Sequence, residues 1–322
     1  MPRSRSVSVH LGDQVGRYGF GDEHPFGEDR MHAFWDEMNR RALDYQVRLH
    51  DPKMCGEADL LRFHTAEYVD RVKSHSASGE GMLDYGDTPA YKGVFEDASY
   101  VVGTTLDAVD KVMRDEVRRA FVPIAGLHHS MPDTAAGFCV FNDCGVAIKV
   151  LEDNYGLDRI AYVDIDAHHG DGLYYPFEAD PKLIFADIHE DGRYNFPQSG
   201  FQHEVGKGDA RGRKLNIPLL PRSTDADFKM MWEKVEGFLD DWKPQFIIMQ
   251  CGADGITGDP LAHLHYSPDA HRLAATGLCR IAEAHAGGRI VGVGGGGYDL
   301  HNLGKAWSNV VEAFLDAPMS DQ

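Results

Sequence analysis

Five short apolar runs without polar–apolar alternation limit most strongly how this chain can fold. They read AFVPIAG (120–126), RIAYVDID (159–166), KLIFADI (182–188), QFIIMQCG (245–252) and RIVGVGGG (289–296). A strand covered on both faces has no solvent side and loses the period-two alternation, which is typical of a parallel sheet between two layers of helices. Segments with helical spacing separate the runs. The sequence therefore predicts a three-layer α/β/α fold around a central, mostly parallel sheet.

The helical segments carry spacing and end signals that fit this fold. An apolar stripe recurs every three or four positions between 94 and 113 and predicts a helix packed on the core: Phe95, Ala98, Val102, Leu106, Val109 and Val112. Ser267 and Pro268 can serve as N-cap and first residue of a helix that ends near Gly287 and Gly288. No repeat or low-complexity linker interrupts the chain, so residues 1–322 are expected to form one domain.

Charge and cysteine usage exclude several classes of protein. The chain has 32 basic and 51 acidic residues and a formal net charge of −19, which repels phosphates and anionic membranes at long range. We therefore expect no nucleic-acid or membrane partner. No apolar run reaches the length of a membrane span, and no apolar segment of a signal peptide follows the N-terminus. Five scattered cysteines without a CxxC pair argue against disulfides and favour a cytoplasmic location: Cys55, Cys139, Cys144, Cys251 and Cys279.

The residues that follow the five runs change from apolar to polar or glycine-rich. They read GLHHS, DIDAHHGDG, DIHE, GADG and GGGGYD. Ligands of open parallel sheets bind at the carboxyl ends of the strands. Because these ends meet at one edge of the sheet, we expect them to build a single functional site.

Acidic residues and histidine at two of these ends predict a metal site. Asp164, Asp166 and His168 alternate with apolar residues, so strand geometry can direct all three to one side. Asp254 follows a buried run and is the candidate third ligand beside Asp166 and His168, a set that leaves an open coordination position. An N-cap role explains one such aspartate but not all of them, and carboxylates packed together repel without a cation. This donor set suits Zn²⁺ and leaves Fe²⁺ open.

A tandem of histidines and a tyrosine predict acid–base chemistry at the same edge. Side chains of adjacent His128 and His129 are expected to point in different directions, each with its own carboxylate, Asp164 or Asp171. Tyr298 follows four glycines, which permit a close approach, so its hydroxyl can donate to a developing oxyanion.

These motifs resemble the histone deacetylase family, including its bacterial acetoin-utilisation-type and acetylpolyamine-amidohydrolase branches. The residues that carry the resemblance are GLHHSMPDTAAGFCVFNDCGVAI, YVDIDAHHGDG, CGADGITGDP and GGGGYD, with weaker likeness in HPFGEDR, LLRFHTAEYV and YGDTP. The resemblance implies an arginase/deacetylase-like fold and zinc-dependent hydrolysis of an acyl amide. Acyl-lysine is the expected substrate and an acetylpolyamine is the alternative.

The resemblance also implies a role for each matching residue. Asp166, His168 and Asp254 would bind zinc. His129, paired with Asp171, would be general base and acid, while His128, paired with Asp164, would help electrostatically and Tyr298 would polarise the carbonyl. The residues implied to contact substrate or product are Asp87 at the rim, Gly137 at the floor, Phe138 and Phe196 on the walls, Arg30 at an inner channel, and Leu261 and Gly296.

Monovalent cations are implied as well, and three positions depart from the family pattern. A structural K⁺ would use Asp164, Asp166, His168, Asp187 and Ile188, and a second cation would lie near Phe177, Asp180 and Leu183. Asp187 stands where class I members usually have serine, and Asn195 stands where many members have an aromatic residue. Leu261 stands where polyamine-specific members have an acidic residue, which favours acyl-lysine.

Other interpretations remain open at this point. A two-metal ureohydrolase would need an aspartate where Gly170 stands. A dinucleotide enzyme would use the GxGxxG of residues 292–297, but only 25 residues follow Gly297 in the 322-residue chain, too few for the next strand. A non-catalytic acyl-binding sensor is a third alternative. His263 and His265 form an HxH that suits a solvated rim loop better than a metal site.

Overall fold

The structure is a computed structural model that describes residues 7–21 and 24–318. Within these residues eight strands form one sheet: β1 Val7–His10, β2 Arg48–His50, β3 Arg119–Val122, β4 Ile160–Asp164, β5 Leu183–Glu190, β6 Lys214–Leu219, β7 Phe246–Gln250 and β8 Ile290–Val293. The strand order is β2-β1-β3-β8-β7-β4-β5-β6, and every neighbouring pair is parallel.

Helices lie in every connection between successive strands except that from β5 to β6, as is usual for parallel strands. They are α1 Asp13–Gly16, α2 Arg30–Arg40, α3 Glu57–Leu60, α4 Ala66–Ser78, α5 Val94–Met113, α6 Asp143–Asp153, α7 Asp171–Tyr174, α8 Asp225–Trp242, α9 Asp269–His285 and α10 Leu300–Asp316, with a 3₁₀ turn at Gly208–Ala210. Helices α2, α10, α9 and α8 pack side by side in one group, and α4, α5 and α6 in another.

The core lies on both faces of the sheet. Every residue of β3, β4, β5, β7 and β8 is buried, as expected for strands covered on both sides. The three-layer α/β/α prediction is confirmed, and the sheet is parallel throughout the described residues. All five apolar runs contain strands, whereas β1, β2 and β6 were not predicted.

The predicted helix signals are also found, with one shift. The stripe between 94 and 113 belongs to α5, whose bounds match it. Helix α9 begins at Asp269, one residue later than predicted, and Ser267 Oγ accepts a hydrogen bond from the Asp269 N–H at 3.2 Å. All five cysteines are free. Among the described residues, none of the helices combines the length and apolarity needed to cross a membrane.

Candidate active site

The carboxyl ends of five adjacent strands meet at the candidate site. His128 and His129 follow β3, and Asp164 is the last residue of β4. Asp254 follows β7, and Tyr298 follows β8. Because β3, β8, β7, β4 and β5 are neighbours in the sheet, these side chains share one edge, as the sequence predicted.

Three buried ligand-type side chains come together as the sequence predicted. One ligand atom from each of Asp166, His168 and Asp254 lies within 4.8 Å of the other two. His168 Nδ1 lies 2.9 Å from Asp254 Oδ2 and 3.2 Å from Asp166 Oδ1. Buried carboxylates held this close to an imidazole suit a cation better than an empty cluster. The two oxygen ligands and one nitrogen ligand fit Zn²⁺ with an open position, and they also fit Fe²⁺.

Hydrogen bonds and a closely packed glycine hold the carboxylates of Asp166 and Asp254 in place. The N–H of Gly296 and Nε2 of Gln250 each donate to Asp166 Oδ2 at 2.8 Å. A Cβ on Gly296 would lie 2.2 Å from Asp254 Oδ2, so only glycine fits at this position. Gln250 was not among the predicted site residues, although a polar residue at the end of the apolar run FIIMQ was the available signal.

Each histidine of the tandem has its own carboxylate, as predicted. His128 Nδ1 lies 2.7 Å from Asp164 Oδ2, and His129 Nδ1 lies 2.7 Å from Asp171 Oδ1. The expected divergence of the two side chains is wrong: their Nε2 atoms are 3.1 Å apart and their ring centroids 4.1 Å apart. The turn after β3 therefore brings both rings to one point beside the metal triad.

The surroundings push the pKa values of the two histidines apart. Burial opposes the charge on His128, but the carboxylates of Asp164 and Asp166 outweigh it and raise the pKa to about 10. Burial and the neighbouring His128 lower the pKa of His129. A divalent cation bound to Asp166 would cancel part of this increase in the pKa of His128. The pKa values of the two histidines are therefore shifted in opposite directions, an arrangement that favours different roles for the two imidazoles.

Tyr298 and the glycine run complete the inner part of the site. Burial and the charge of Asp254 raise the pKa of Tyr298, so its hydroxyl stays protonated and able to donate. Arg30 is buried at the start of α2 and donates to the carbonyl oxygens of Gly295 and Gly297 at 2.5 and 3.0 Å. The guanidinium thus supports the glycine loop that leads into Tyr298.

Two aromatic side chains flank the approach to the histidines. The rings of Phe196 and His129 have centroids 5.0 Å apart, and those of Phe138 and Tyr298 are 5.9 Å apart. Gly137 adopts φ +53°, and a Cβ there would lie 2.6 Å from the His129 ring. Phe196 and Gly137 therefore border the predicted general base His129, and Phe138 borders Tyr298.

Two facing aspartates lie near the predicted rim. Asp84 Oδ1 accepts from the N–H groups of Gly86, Asp87 and Thr88 at 2.9 to 3.1 Å. Burial and the adjacent Asp84 raise the pKa of Asp87 to about 6. Against its own burial, hydrogen bonds from Asp87 and Thr88 lower the pKa of Asp84 to about 2. Asp84 thus fixes the loop that carries Asp87.

A buried glutamate that was not predicted as a site residue joins two rim segments. Glu190, the last residue of β5, accepts from the His263 N–H at 2.8 Å and lies 2.9 Å from His263 Nδ1. Asn195 Nδ2 donates to Glu190 at 3.2 Å and contacts the Leu261 carbonyl at 3.4 Å. One member of the predicted HxH loop therefore serves as an anchor, while His265 is exposed.

The two predicted monovalent-cation sites differ in how well their residues fit a cation. Asp164 and Asp187 are buried partners on adjoining strands, and Asp187 is held by His189 Nδ1 at 2.6 Å and by the Gly170 N–H at 2.9 Å. With Asp166 nearby, this concentration of carboxylates fits a K⁺ ion.

The second cation site does not fit in this way. Lys214 donates its ammonium to the carbonyl oxygens of Asp180 and Leu183, and the Phe177 carbonyl accepts the Asp180 N–H at 3.0 Å. These oxygens already have partners within the chain. The prediction of a second bound cation is therefore not supported by the arrangement of the residues named for it.

Comparisons with known proteins agree with this geometry. The sequence model of the histone deacetylase domain matches residues 24–314. The acetoin utilization protein AcuC of Bacillus subtilis (strain 168) is 36% identical over 309 residues, covering 91% of this chain and 78% of that protein. AcuC of Staphylococcus aureus (strain MSSA476) is 30% identical over 325 residues, covering 98% and 83%. The crystal structure of the HDA15 HD domain superposes with a TM-score of 0.90 at 23% identity over 98% of this chain and 91% of that one, which shows a shared fold.

Proposed function

Since the chain belongs to the histone deacetylase family and is a deacetylase by that membership, we propose that it hydrolyses the acyl amide of an acylated lysine side chain with Zn²⁺ as cofactor. The observation that carries the proposal is the pair of histidine–aspartate contacts beside a buried Asp–His–Asp triad. Acid–base groups next to a metal site are what amide hydrolysis requires.

The metal would be held by Asp166, His168 and Asp254. The chemistry that a bound Zn²⁺ supplies at such a triad is Lewis acidity, which polarises a carbonyl and makes a water nucleophilic at neutral pH. Fe²⁺ is compatible with the same ligands, so metal analysis after anaerobic purification decides between the two.

His129 is the proton carrier in this proposal. Its Nδ1 is engaged by Asp171, so Nε2 carries the lone pair that can take a proton. Nε2 of His128 lies 3.1 Å from this atom, and the attacking water would have to replace that contact. Because burial and the charge of His128 lower its pKa, His129 is neutral and ready to act as a base. It then returns a proton to the departing amine, since an unprotonated amine is a poor leaving group.

His128 and Tyr298 stabilise the negative charge that develops on the acyl oxygen and its surroundings. Asp164 orients His128 and keeps it charged. The neutral hydroxyl of Tyr298 can donate to the oxyanion, and such a donor contributes about 10²–10³ in turnover. Neither group needs to titrate during the reaction.

The substrate preference rests on the rim and the walls. Phe138 and Phe196 offer apolar sides for the methylene chain of an acyl-lysine, and Asp87 can accept a backbone N–H of a peptide. Leu261 provides no charge to bind the second amine of a polyamine. The acidic surface, with a net charge of −19, attracts basic substrates of either kind.

A structural K⁺ and a single domain of residues 1–322 are part of the same proposal. The buried carboxylates of Asp164, Asp166 and Asp187 support the cation, with backbone oxygens of His168 and Ile188 as further candidates. The site draws residues from Arg30 to Tyr298, and all eight strands of the described residues belong to one sheet. Both observations support a single domain.

One panel of substrates tests the proposed function. Acetyl-lysine peptides, longer or hydroxylated acyl-lysine peptides and acetylpolyamines are compared under identical conditions, before and after chelation and with Zn²⁺ or Fe²⁺ restored. We expect a higher kcat/KM for an acyl-lysine peptide, loss on chelation and recovery with the metal. A preference for acetylpolyamines would refute the substrate assignment, and unchanged activity after complete metal removal would refute the mechanism. As a control, Tyr298→Phe should retain the metal but lose most turnover.

A further inference from the structure

Lys214 is a buried lysine whose ammonium lies among backbone carbonyl groups. It is the first residue of β6, and only 2% of the residue is exposed. Nζ donates to the carbonyl oxygen of Asp180 at 3.0 Å and to that of Leu183. No carboxylate accepts from it among the hydrogen bonds found in the described residues. A buried charge held by carbonyl oxygens resembles the surroundings of a monovalent metal ion rather than those of an ordinary ion pair.

The chain is shaped to bring the ammonium to this position. The stem of Lys214 passes Gly206, where φ is +86° and an added Cβ would lie 3.0 Å from Lys214 Cγ and 2.5 Å from the Ala210 carbonyl oxygen. Glycine therefore keeps open the path that the lysine stem occupies. The preceding residue, Arg213, donates to the Pro181 carbonyl at 2.7 Å, so neighbouring cationic side chains both bind the turn before β5.

Lys149, which also contacts Asp180, is held by carboxylates instead of carbonyl oxygens. Lys149 Nζ lies 2.8 Å from Glu152 Oε2 and 3.4 Å from Asp180 Oδ2, and 31% of its side chain is exposed. Its ammonium is paired with carboxylates, and its pKa is raised despite some burial. Burial lowers the pKa of Lys214 to about 7, against the opposing charges of Asp180 and Glu152. The two lysines therefore contact the same turn, one through carboxylates and the other through backbone carbonyl oxygens.

We propose that Lys214 takes the place of the second monovalent cation predicted near Phe177, Asp180 and Leu183. An ammonium carries the same single charge as K⁺, is close to it in size, and is attached to the chain. Nζ of Lys214 already occupies the position beside the Asp180 and Leu183 carbonyl oxygens, so a free cation is excluded from them by contact, and the protonated form also repels it. The turn that leads into β5 is therefore held without a dissociable ion. Removal of the lysine side chain would free the Asp180 and Leu183 carbonyl oxygens to bind K⁺.

Anomalous scattering from Rb⁺ tests this directly. Crystals of the wild-type holoenzyme, Lys214→Ala and Lys149→Ala are grown with RbCl in place of KCl. We expect no Rb⁺ peak at the Asp180 and Leu183 carbonyl oxygens in wild type or in Lys149→Ala, and a peak there in Lys214→Ala. A peak in wild type would overturn the proposal, and so would its absence from Lys214→Ala, because the oxygens would then have no affinity for a monovalent cation.

Thermal unfolding provides a second measurement that needs no crystal. Melting temperatures of the same three proteins are compared in KCl and in choline chloride at equal ionic strength. Any K⁺ bound near Asp164 stabilises all three alike, so only the difference between variants matters. We expect Lys214→Ala to gain several degrees more from K⁺ than wild type and Lys149→Ala do. If Lys214→Ala cannot be purified folded in either salt, the wild-type Rb⁺ experiment still decides the question.

Discussion

His64 ties together two backbone segments that follow the histidine tandem in the chain, and its protonation should destabilise the fold. Its Nδ1 lies 3.1 Å from the Met131 carbonyl oxygen, and its Nε2 accepts the Asn142 N–H at 2.9 Å. Only the neutral ring with the proton on Nδ1 satisfies both contacts. A second proton would have to bind Nε2, where its N–H would face the N–H of Asn142. Two donors would then oppose each other at a residue that is only 3% exposed. Burial lowers the pKa of His64 from 6.5 to about 4.

The size of the effect follows from this pKa. The unfolded chain takes up a proton near pH 6.5, whereas the folded protein resists protonation until about pH 4. Stability from the neutral ring is therefore complete above pH 6.5 and lost as the pH falls through that window. At about 1.36 kcal/mol per unit, His64 accounts for a loss of about 2 kcal/mol between pH 8 and pH 5, and for roughly 3 kcal/mol below pH 4.

Urea unfolding of wild type and His64→Asn at several pH values measures this loss. Asparagine can still donate to the Met131 carbonyl but leaves the Asn142 N–H unpaired, so the variant should be less stable by about 1–3 kcal/mol at pH 8. Because asparagine does not titrate, the difference in the free energy of unfolding between wild type and His64→Asn should be smaller by about 2 kcal/mol at pH 5 than at pH 8. Metal ligands and other histidines titrate in both proteins and cancel from the difference. A gap that does not change with pH would refute the reasoning, and exposed His265→Asn serves as the control.

Three further substitutions probe the site. Gly137→Ala should push the His129 ring from its position and lower kcat by about 10²-fold or more while metal content stays normal, as measured by steady-state kinetics and metal analysis. Gly296→Ala should lower the bound metal per chain, because its Cβ would overlap Asp254 Oδ2; metal titration of the chelated protein measures this. Glu190→Gln should raise KM more than it lowers kcat, because the rim segments loosen while the acid–base groups stay in place.

A glycine elsewhere provides the matched control for the two alanine variants. Gly237 lies in α8, and an added Cβ would meet nothing within 4 Å. Gly237→Ala should leave metal content and kinetics unchanged and raise stability by about 0.4–1 kcal/mol. If Gly137→Ala or Gly296→Ala keeps the metal content and kinetics of wild type, as Gly237→Ala should, then the close contact at that glycine is not needed for the site.

The central strands and the chemistry at their ends could be predicted because burial on both faces leaves a direct mark on the sequence. The two edge strands, β2 and β6, carry no such mark. The three residues of β2 form the edge of the sheet and are partly exposed, and β6 contains Pro218 and begins with Lys214. An edge strand tolerates proline and polar residues because one side has no partner strand.

Loop conformation explains what was missed within the site. The histidine–carboxylate partners were predictable from types and spacing, but the convergence of the His128 and His129 rings depends on the backbone of the turn after β3. Glu190 and His263 are 73 positions apart, and no local pattern indicates that they meet. Likewise, the carbonyl oxygens bound by Lys214 belong to backbone groups, whose positions depend on the folded turn and not on residue type.

The position of β8 affects the order in which this protein can be completed during synthesis. Strand β8 is made after β3 and β7 but lies between them in the sheet. Until residues 290–293 leave the ribosome, β3 and β7 each present an unpaired edge that can associate with other chains. His128 follows β3 and Asp254 follows β7, so β8 joins the two strands that carry these residues. A nascent chain therefore completes this edge of the sheet, and the site on it, only in one late step after β8 has been made.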